Sequence, residues 1–469
     1  MNVILVVLDT LRKDCAGPYG SPPWGEVHTP HFDKFAEESL IMDRVYPETL
    51  PTLPARRALY TGQRVYPFPH IDFVKKGDYI PIPGWGPIRE DRYTLSELLN
   101  EAGYRTGLIS DVFHMFKPSK NFWRGFDQWT FLRGQEMDPY RSGPAPTKEE
   151  LDYWLPNDMR NRYKPIRLIS QHIQNNRDRV NEEDYFVAKV FRESAKWIEQ
   201  NRDAQNFFLT IESFSPHELW CVPEYYRKMY LEEDGPEQVV SGWKDLDQHD
   251  PYLLKRTQAN YSALVTLCDR WFGHFMEELR VTGLLDDTLV VFTSDHGHMF
   301  GEHNFIGKGG YPAYPGVYDI PLMVRFPGAE NSGIRCDMLA QHTDISATIL
   351  DAAGVEPKDQ LHGVSFLESA AKGGAGPRDH VTAAWGTGVM VVKDNWWLSI
   401  KVDGTGALLH DLNSDDPFHN NVADGNWSVV EELFALAKED AGVPYFDYLL
   451  TLAAEKPNDP AASNRICEE

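Results

Sequence analysis

The chain predicts an α/β fold: a large mixed, mostly parallel central sheet flanked by helices, followed by a small antiparallel α+β subdomain. Three observations carry this. Val3–Leu8 and Thr288–Thr293 are unbroken apolar runs rich in β-branched residues, as in strands buried on both faces beneath helices. The first run ends at Asp9 and the second at Ser294-Asp295, and open α/β sheets gather their ligands beyond such strand ends. A length of 469 residues exceeds one core, so a second, smaller unit is expected.

Hydrophobic residues make up 42% and charged residues 25%, as in an ordinary globular protein. A formal net charge of -24 argues against nucleic acid and anionic membranes as partners, since both call for basic surface. Cys15, Cys221, Cys268, Cys336 and Cys467 are odd in number and scattered, so neither a disulfide frame nor a zinc knuckle is expected. No apolar run approaches the ~20 residues of a membrane span. Met1 and Asn2 lead straight into a strand with no basic n-region or cleavage site, so a cytoplasmic protein without a signal peptide is expected.

In chain order, the first strand delivers Asp9, which either holds a ligand or caps the following turn. His28–Ala36 reads as a loop and helix. Thr49–Gly62 is the densest stretch. Pro54 suits a first helical turn and Gly62 a C-terminal stop. Thr52 then lies at the helix N-terminus, where free amides and the dipole favour negative charge. Arg56, one turn on, points back toward that end. Together they make an anion site containing a nucleophile; the plain alternative is that Thr52 is a helix N-cap. Tyr66–Pro87, with His70, Lys75 and Lys76, reads as a loop at the site rim.

Leu95–Gly103 predicts a helix, and Tyr104–Ile109 a strand that delivers Asp111 and His114. Residues 124–182 are polar, charged and aromatic, and read as an insertion that serves as a lid or an oligomer arm and sets substrate choice. A helix over Tyr185–Asn201 and a strand over Asn206–Ile211 lead to Ser215-Pro216-His217. Leu264, Leu267, Trp271, Phe275 and Leu279 form a helical core stripe within Tyr261–Arg280. The second apolar run ends in Ser294-Asp295-His296-Gly297-His298, and Lys308 follows among glycines that allow close backbone approach. Asp319–Gly328 reads as strand and turn, and Asp344 opens a helix. A boundary is placed at 363/364. Beyond it, short strands at Val381–Trp385, Gly388–Val392 and Trp396–Lys401, a turn at His410–Pro417 and a helix at Val429–Lys438 make the C-terminal subdomain.

Thr52, Pro54, Arg56, Thr61 and Gly62 resemble the signature of the sulfatases, in the alkaline phosphatase superfamily: Cys or Ser, any residue, Pro, any residue, Arg, then a helix ending in Thr-Gly. The resemblance extends over most of the chain and is weakest at 124–182. It implies an alkaline phosphatase-like fold and one divalent metal ion held by Asp9, Asp295, His296 and the Thr52 oxygen. Thr10 replaces the second acid of the family's first metal pair. Mixed oxygen and nitrogen ligation favours manganese or zinc ahead of calcium. Arg56, Lys308 and His217 would neutralise the transferred group, and His217 or His114 would protonate the leaving oxygen. His342 is a candidate ligand for a second metal; His298, where the family usually has Glu, takes no role.

Threonine cannot become the formylglycine of sulfatases, whereas other superfamily members use unmodified threonine as nucleophile. The expected activity is therefore hydrolysis of phosphate diesters or phosphonate monoesters, acting on a small anionic ester. A sulfatase without formylglycine, a phosphoryl transferase and a non-catalytic binding protein are the alternatives. Assembly into a homo-oligomer is also expected, as in related enzymes.

Overall fold

The computed structural model describes residues 1–65, 84–117, 119–237, 244–245, 251–372, 376–442 and 450; His70, Lys75, Lys76 and Cys467 lie outside them. Eight strands form the main sheet: β1 (Asn2–Leu8), β2 (Leu40–Tyr46), β3 (Arg105–Ser110), β4 (Gln128–Phe131), β5 (Phe207–Ser213), β6 (Thr288–Ser294), β7 (Leu322–Arg325) and β8 (Arg335–Gln341). They lie in the order β8-β2-β7-β6-β1-β5-β3-β4. All neighbours pair in parallel except at β7, which runs antiparallel to β2 and β6.

The apolar run of β1 is explained by its two-faced burial. Successive strand side chains point to opposite faces. Val3, Leu5 and Val7 enter a core with Leu53, Leu59 and Ile349. Ile4, Val6 and Leu8 enter another with Phe191, Leu264 and Phe272. The helix Pro251–Val281 begins earlier than its apolar stripe indicates and buries all five predicted stripe residues. Its Asp269 also reaches the short helix Pro30–Glu37, accepting from the amides of Phe32 (2.7 Å) and His31 (3.2 Å). That helix has no side-chain cap of its own at Thr29.

Two stretches differ from expectation. The segment 124–182 opens with β4, which pairs with β3 at the sheet edge, and it contains the helices Lys148–Trp154 and Tyr163–Asn176. His410–Pro417, expected as a turn, begins inside a strand because Leu408–Asp411 pairs with the strand before it. That strand, β12, completes an antiparallel sheet with β9 (His380–Trp385), β10 (Gly388–Lys393) and β11 (Trp396–Lys401). One face of this sheet packs Val389, Val391, Leu398 and Ile400 against the helix Trp427–Ala441. The other turns Met390, Val392 and Trp397 into the main core. Among the described residues, no helix is long and apolar enough to cross a membrane.

Replacing Asp269 with Ala would strip two helix-terminal amides of their acceptor. The expected cost is about 1–3 kcal/mol of stability, measured as a lower urea midpoint with an unchanged slope.

Candidate active site

The residues singled out above converge at the carboxyl ends of the parallel strands. Asp9 follows β1, Asp295 and His296 follow β6, and Glu212 lies near the end of β5. The helix Thr52–Thr61 enters from the β2 side and ends at Gly62, whose left-handed backbone (φ 64°) lets its amide bond to Ala58. Thr52 is the first residue of this helix rather than its cap: Pro51 holds the cap position, and no side chain bonds there.

Arg56 is fully buried at the centre. Its Nη1 donates to Asp9 Oδ2 (2.9 Å), Asp295 Oδ2 (2.6 Å) and the Thr52 carbonyl (3.1 Å). Its Nε donates to Glu212 Oε2 at 2.9 Å. The arginine therefore faces three carboxylates, while Nη2 is buried without a hydrogen-bond partner. Burial pushes Glu212 up to about 7 against the pull of Arg56. Asp9 and Asp295 share the guanidinium and split. Burial and the charge of Asp295 raise Asp9. Burial opposes ionisation of Asp295 as well, but the charge of Arg56 and the Thr10 amide hold it below the usual carboxylate range.

Thr10 ties the two acids together. Its hydroxyl donates to Asp9 Oδ1 and its amide to Asp295 Oδ1, each at 2.8 Å. It holds a left-handed conformation (φ 64°), a strained one for a β-branched residue, which functional sites retain at a cost of roughly 1–3 kcal/mol. Gly297 is equally constrained, since a Cβ there would lie 2.1 Å from the Gly316 carbonyl oxygen.

Asp9, Asp295 and His296 are all buried, and their ligand atoms lie within 4.8 Å of one another. His296 Nδ1 donates to the Gly297 carbonyl at 2.9 Å, so Nε2 is the bare acceptor, buried and without a hydrogen-bond partner. Burial lowers the imidazole to about 3, keeping it neutral as a metal ligand must be. Two carboxylates and one bare imidazole nitrogen fit a divalent cation. His342 stands apart from this set: its Nε2 donates to the Ser294 carbonyl at 2.9 Å and braces the turn beneath Asp295.

A second group lies beside the first. Lys308 Nζ is 2.7 Å from His217 Nε2 and 3.4 Å from Thr10 Oγ1. Glu218 touches Lys308, His217 and His298. Burial lowers His217 to about 4. His114 pairs with Glu136 at 3.0 Å, and Glu136 Oε1 lies 3.9 Å from His217. Gln135 donates to Asp111 at 2.7 Å, so the segment 124–182 sends two side chains into this group.

Sequence reading missed Gln135, Glu136, Glu212 and Glu218 as parts of the site, and saw in Thr10 only a missing carboxylate. Glu212 had a signal, a carboxylate within the apolar strand Phe207–Ser213; Glu218 directly follows His217. Glu136 had none.

Comparison with known proteins puts the chain among the hydrolases of the alkaline phosphatase superfamily. Residues 1–355 match the family model Sulfatase, and the chain belongs to the sulfatase family. It is 25% identical over 404 residues to an arylsulfatase of Clostridium perfringens, covering 81% of this chain and 80% of that one. It is 26% identical over 415 residues to PehA of Trinickia caryophylli, a multifunctional alkaline phosphatase superfamily protein, covering 79% of this chain and 77% of the relative. Its fold is similar to that of the phosphonate monoester hydrolase of Agrobacterium radiobacter (TM-score 0.69, 21% identity), covering 97% of this chain and 95% of that one.

Removing divalent metal with a chelator is expected to lower the melting temperature, and adding manganese or zinc to restore it. A ligand present at about 100 times its Kd stabilises by ~2.7 kcal/mol. Asp295→Asn should abolish that recovery in calorimetry. Glu212→Ala, which strips a partner from a buried guanidinium, should cost about 3–5 kcal/mol in chemical denaturation.

Proposed function

We propose that the protein is a metal-dependent hydrolase of phosphate diesters or phosphonate monoesters, with Thr52 as nucleophile and a phosphoryl-threonine intermediate. The observation that carries this reading is the position of Thr52. It opens a buried helix without capping it, and its carbonyl shares one guanidinium nitrogen with Asp9 and Asp295. Asp9, Asp295, His296 and the Thr52 oxygen would hold one divalent ion, manganese or zinc. When bound, such an ion supplies Lewis acidity and favours an ionised hydroxyl.

Thr52 Oγ, already ionised, bonds to phosphorus as the bond to the departing oxygen breaks, and that oxygen takes a proton from a neighbouring acid. Water then cleaves the phosphoryl-threonine in the reverse exchange. Arg56, through its unpartnered Nη2, and Lys308 offer N–H donors to the oxygens of the transferred group. His217, beside Lys308, and His114, across Glu136, lie on the side where the leaving oxygen would take its proton. Gln135 and Glu136 bring the segment 124–182 to this side of the site, where it bears on substrate choice.

Hydrolysis of sulfuric esters is the second reading, favoured by likeness to the arylsulfatase. Chemistry weighs against it. An aldehyde hydrate can eject sulfate, whereas a threonyl sulfate must be cleaved by displacement. Retention of Asp9, Thr52, Arg56, Asp295, His296 and Lys308 argues against a non-catalytic role.

Bis-aryl phosphate, aryl phosphonate, aryl phosphate and aryl sulfate, each assayed with and without manganese or zinc, would separate these readings. Turnover is expected to be highest on the first two. Thr52→Ala should cut it by at least ~10³-fold while metal content by elemental analysis stays near that of the parent. A variant that keeps its activity overturns the nucleophile assignment.

A further inference from the structure

Glu218 has no part in the chemistry just proposed, yet its carboxylate lies against three side chains on the Lys308 side of the site. Its carboxylate is only 17% exposed. Oε2 lies 2.9 Å from Lys308 Nζ and 3.1 Å from His217 Nδ1, and Oε1 lies 3.2 Å from His298 Nε2. His298 is anchored in turn, with its Nδ1 2.8 Å from the Met299 carbonyl and its ring against the edge of Trp220. His217 is fixed as firmly: its ring stacks on Phe214, with centroids 4.0 Å apart.

The hydrogen bonds of His217 decide where the proton sits. Nδ1 is 2.7 Å from the backbone carbonyl of Glu218, which can only accept, so Nδ1 carries the hydrogen. Nε2 is then the bare nitrogen, and it faces Lys308 Nζ at 2.7 Å. An ammonium can only donate. The imidazole thus accepts from lysine and has no proton of its own to offer on that side. The mobile proton belongs to Lys308.

We infer that Glu218 is a positioning residue: it grips Lys308 and His217 as one hydrogen-bonded pair and so fixes the Lys308 ammonium as the proton donor to the departing oxygen. The inference rests on the hydrolysis proposed above. As the bond from phosphorus to the leaving oxygen breaks, that oxygen takes a proton from Lys308 Nζ. The lysine is left as a neutral amine beside the imidazole. Thr52 attacks as the ionised hydroxyl; the water that later cleaves the phosphoryl-threonine returns a proton to Lys308, its remaining hydroxide bonds to phosphorus, and Thr52 departs ionised, as it began. Glu136, 3.9 Å from His217 Nδ1, closes the group from the 124–182 side.

The test uses the full chain with added manganese and a series of aryl esters of the class it hydrolyses, their phenols spanning pKa values of about 4 to 10. An acidic phenol leaves unaided; a weakly acidic one needs the proton. Glu218→Gln is expected to lower kcat about 10-fold or less on the most acidic phenol and about 10²–10³-fold on the least acidic. KM should change by no more than roughly threefold. Adding Glu218→Gln to Lys308→Ala should cost nothing beyond Lys308→Ala alone, since both act through one ammonium. Glu218→Asp, which keeps the charge, should recover part of the loss and serves if the glutamine variant does not fold. An equal loss across the series, or a further loss in the double variant, overturns the inference and leaves the hydrolase reading intact. A parent protein inert toward every ester overturns both.

Discussion

Arg56 carries its charge into a fully buried position, and the surrounding architecture is arranged to neutralise it. Its guanidinium binds Asp9 from the end of β1, Glu212 from β5 and Asp295 from the end of β6. These are adjacent strands at the centre of the main sheet. Taking such charges out of water costs several kcal/mol per ion, and their attraction offsets that only where geometry is good and the remaining donors are bonded. The cluster thus locks the relative heights of three strand ends and the approach of the helix Thr52–Thr61.

The same cluster also shapes what the site does with charge. One nitrogen of Arg56 touches both carboxylates that would hold a divalent ion. Thr10 donates to those carboxylates through its amide and its hydroxyl, steering them by hydrogen bonds. Arg56 and Lys308 bring positive charge into a small volume of low dielectric, where it is set against the carboxylates of Asp9, Glu212, Asp295 and Glu218.

Much of this was readable because burial on two faces leaves a plain mark. β1 and β6 are continuous apolar runs, and each delivers its acid at its carboxyl end. Gly62 and the core stripe of Pro251–Val281 were equally clear. β2 was not, because Asp43 and Arg44 interrupt its apolar pattern and are only partly buried. β8 opens with the exposed Arg335 and passes through Asp337 before its buried half. At the site, resemblance to the sulfatases pointed to Asp295, His296 and Lys308, whereas Glu136 reaches His114 and His217 through a tertiary contact that no local spacing encodes. Arg56 was read as an anion contact because the signature around it speaks of an anion. Its three carboxylate partners lie 47, 156 and 239 residues away, beyond the reach of any local pattern.

The backbone around Lys308 meets the C-terminal sheet with no room to spare. A Cβ at Gly388 would lie 1.8 Å from the Gly310 carbonyl oxygen, and one at Gly310 would lie 2.3 Å from that of Trp385. The lysine loop is thus seated against the hairpin between β9 and β10, and Trp397 of β11 donates to the neighbouring Ala313 carbonyl at 3.0 Å. During synthesis on the ribosome, Asp9 and Arg56 emerge early, but the surface that seats Lys308 is made only after most of the polypeptide has left the exit tunnel. The Lys308 side of the site is then completed only once the C-terminal sheet has folded against it.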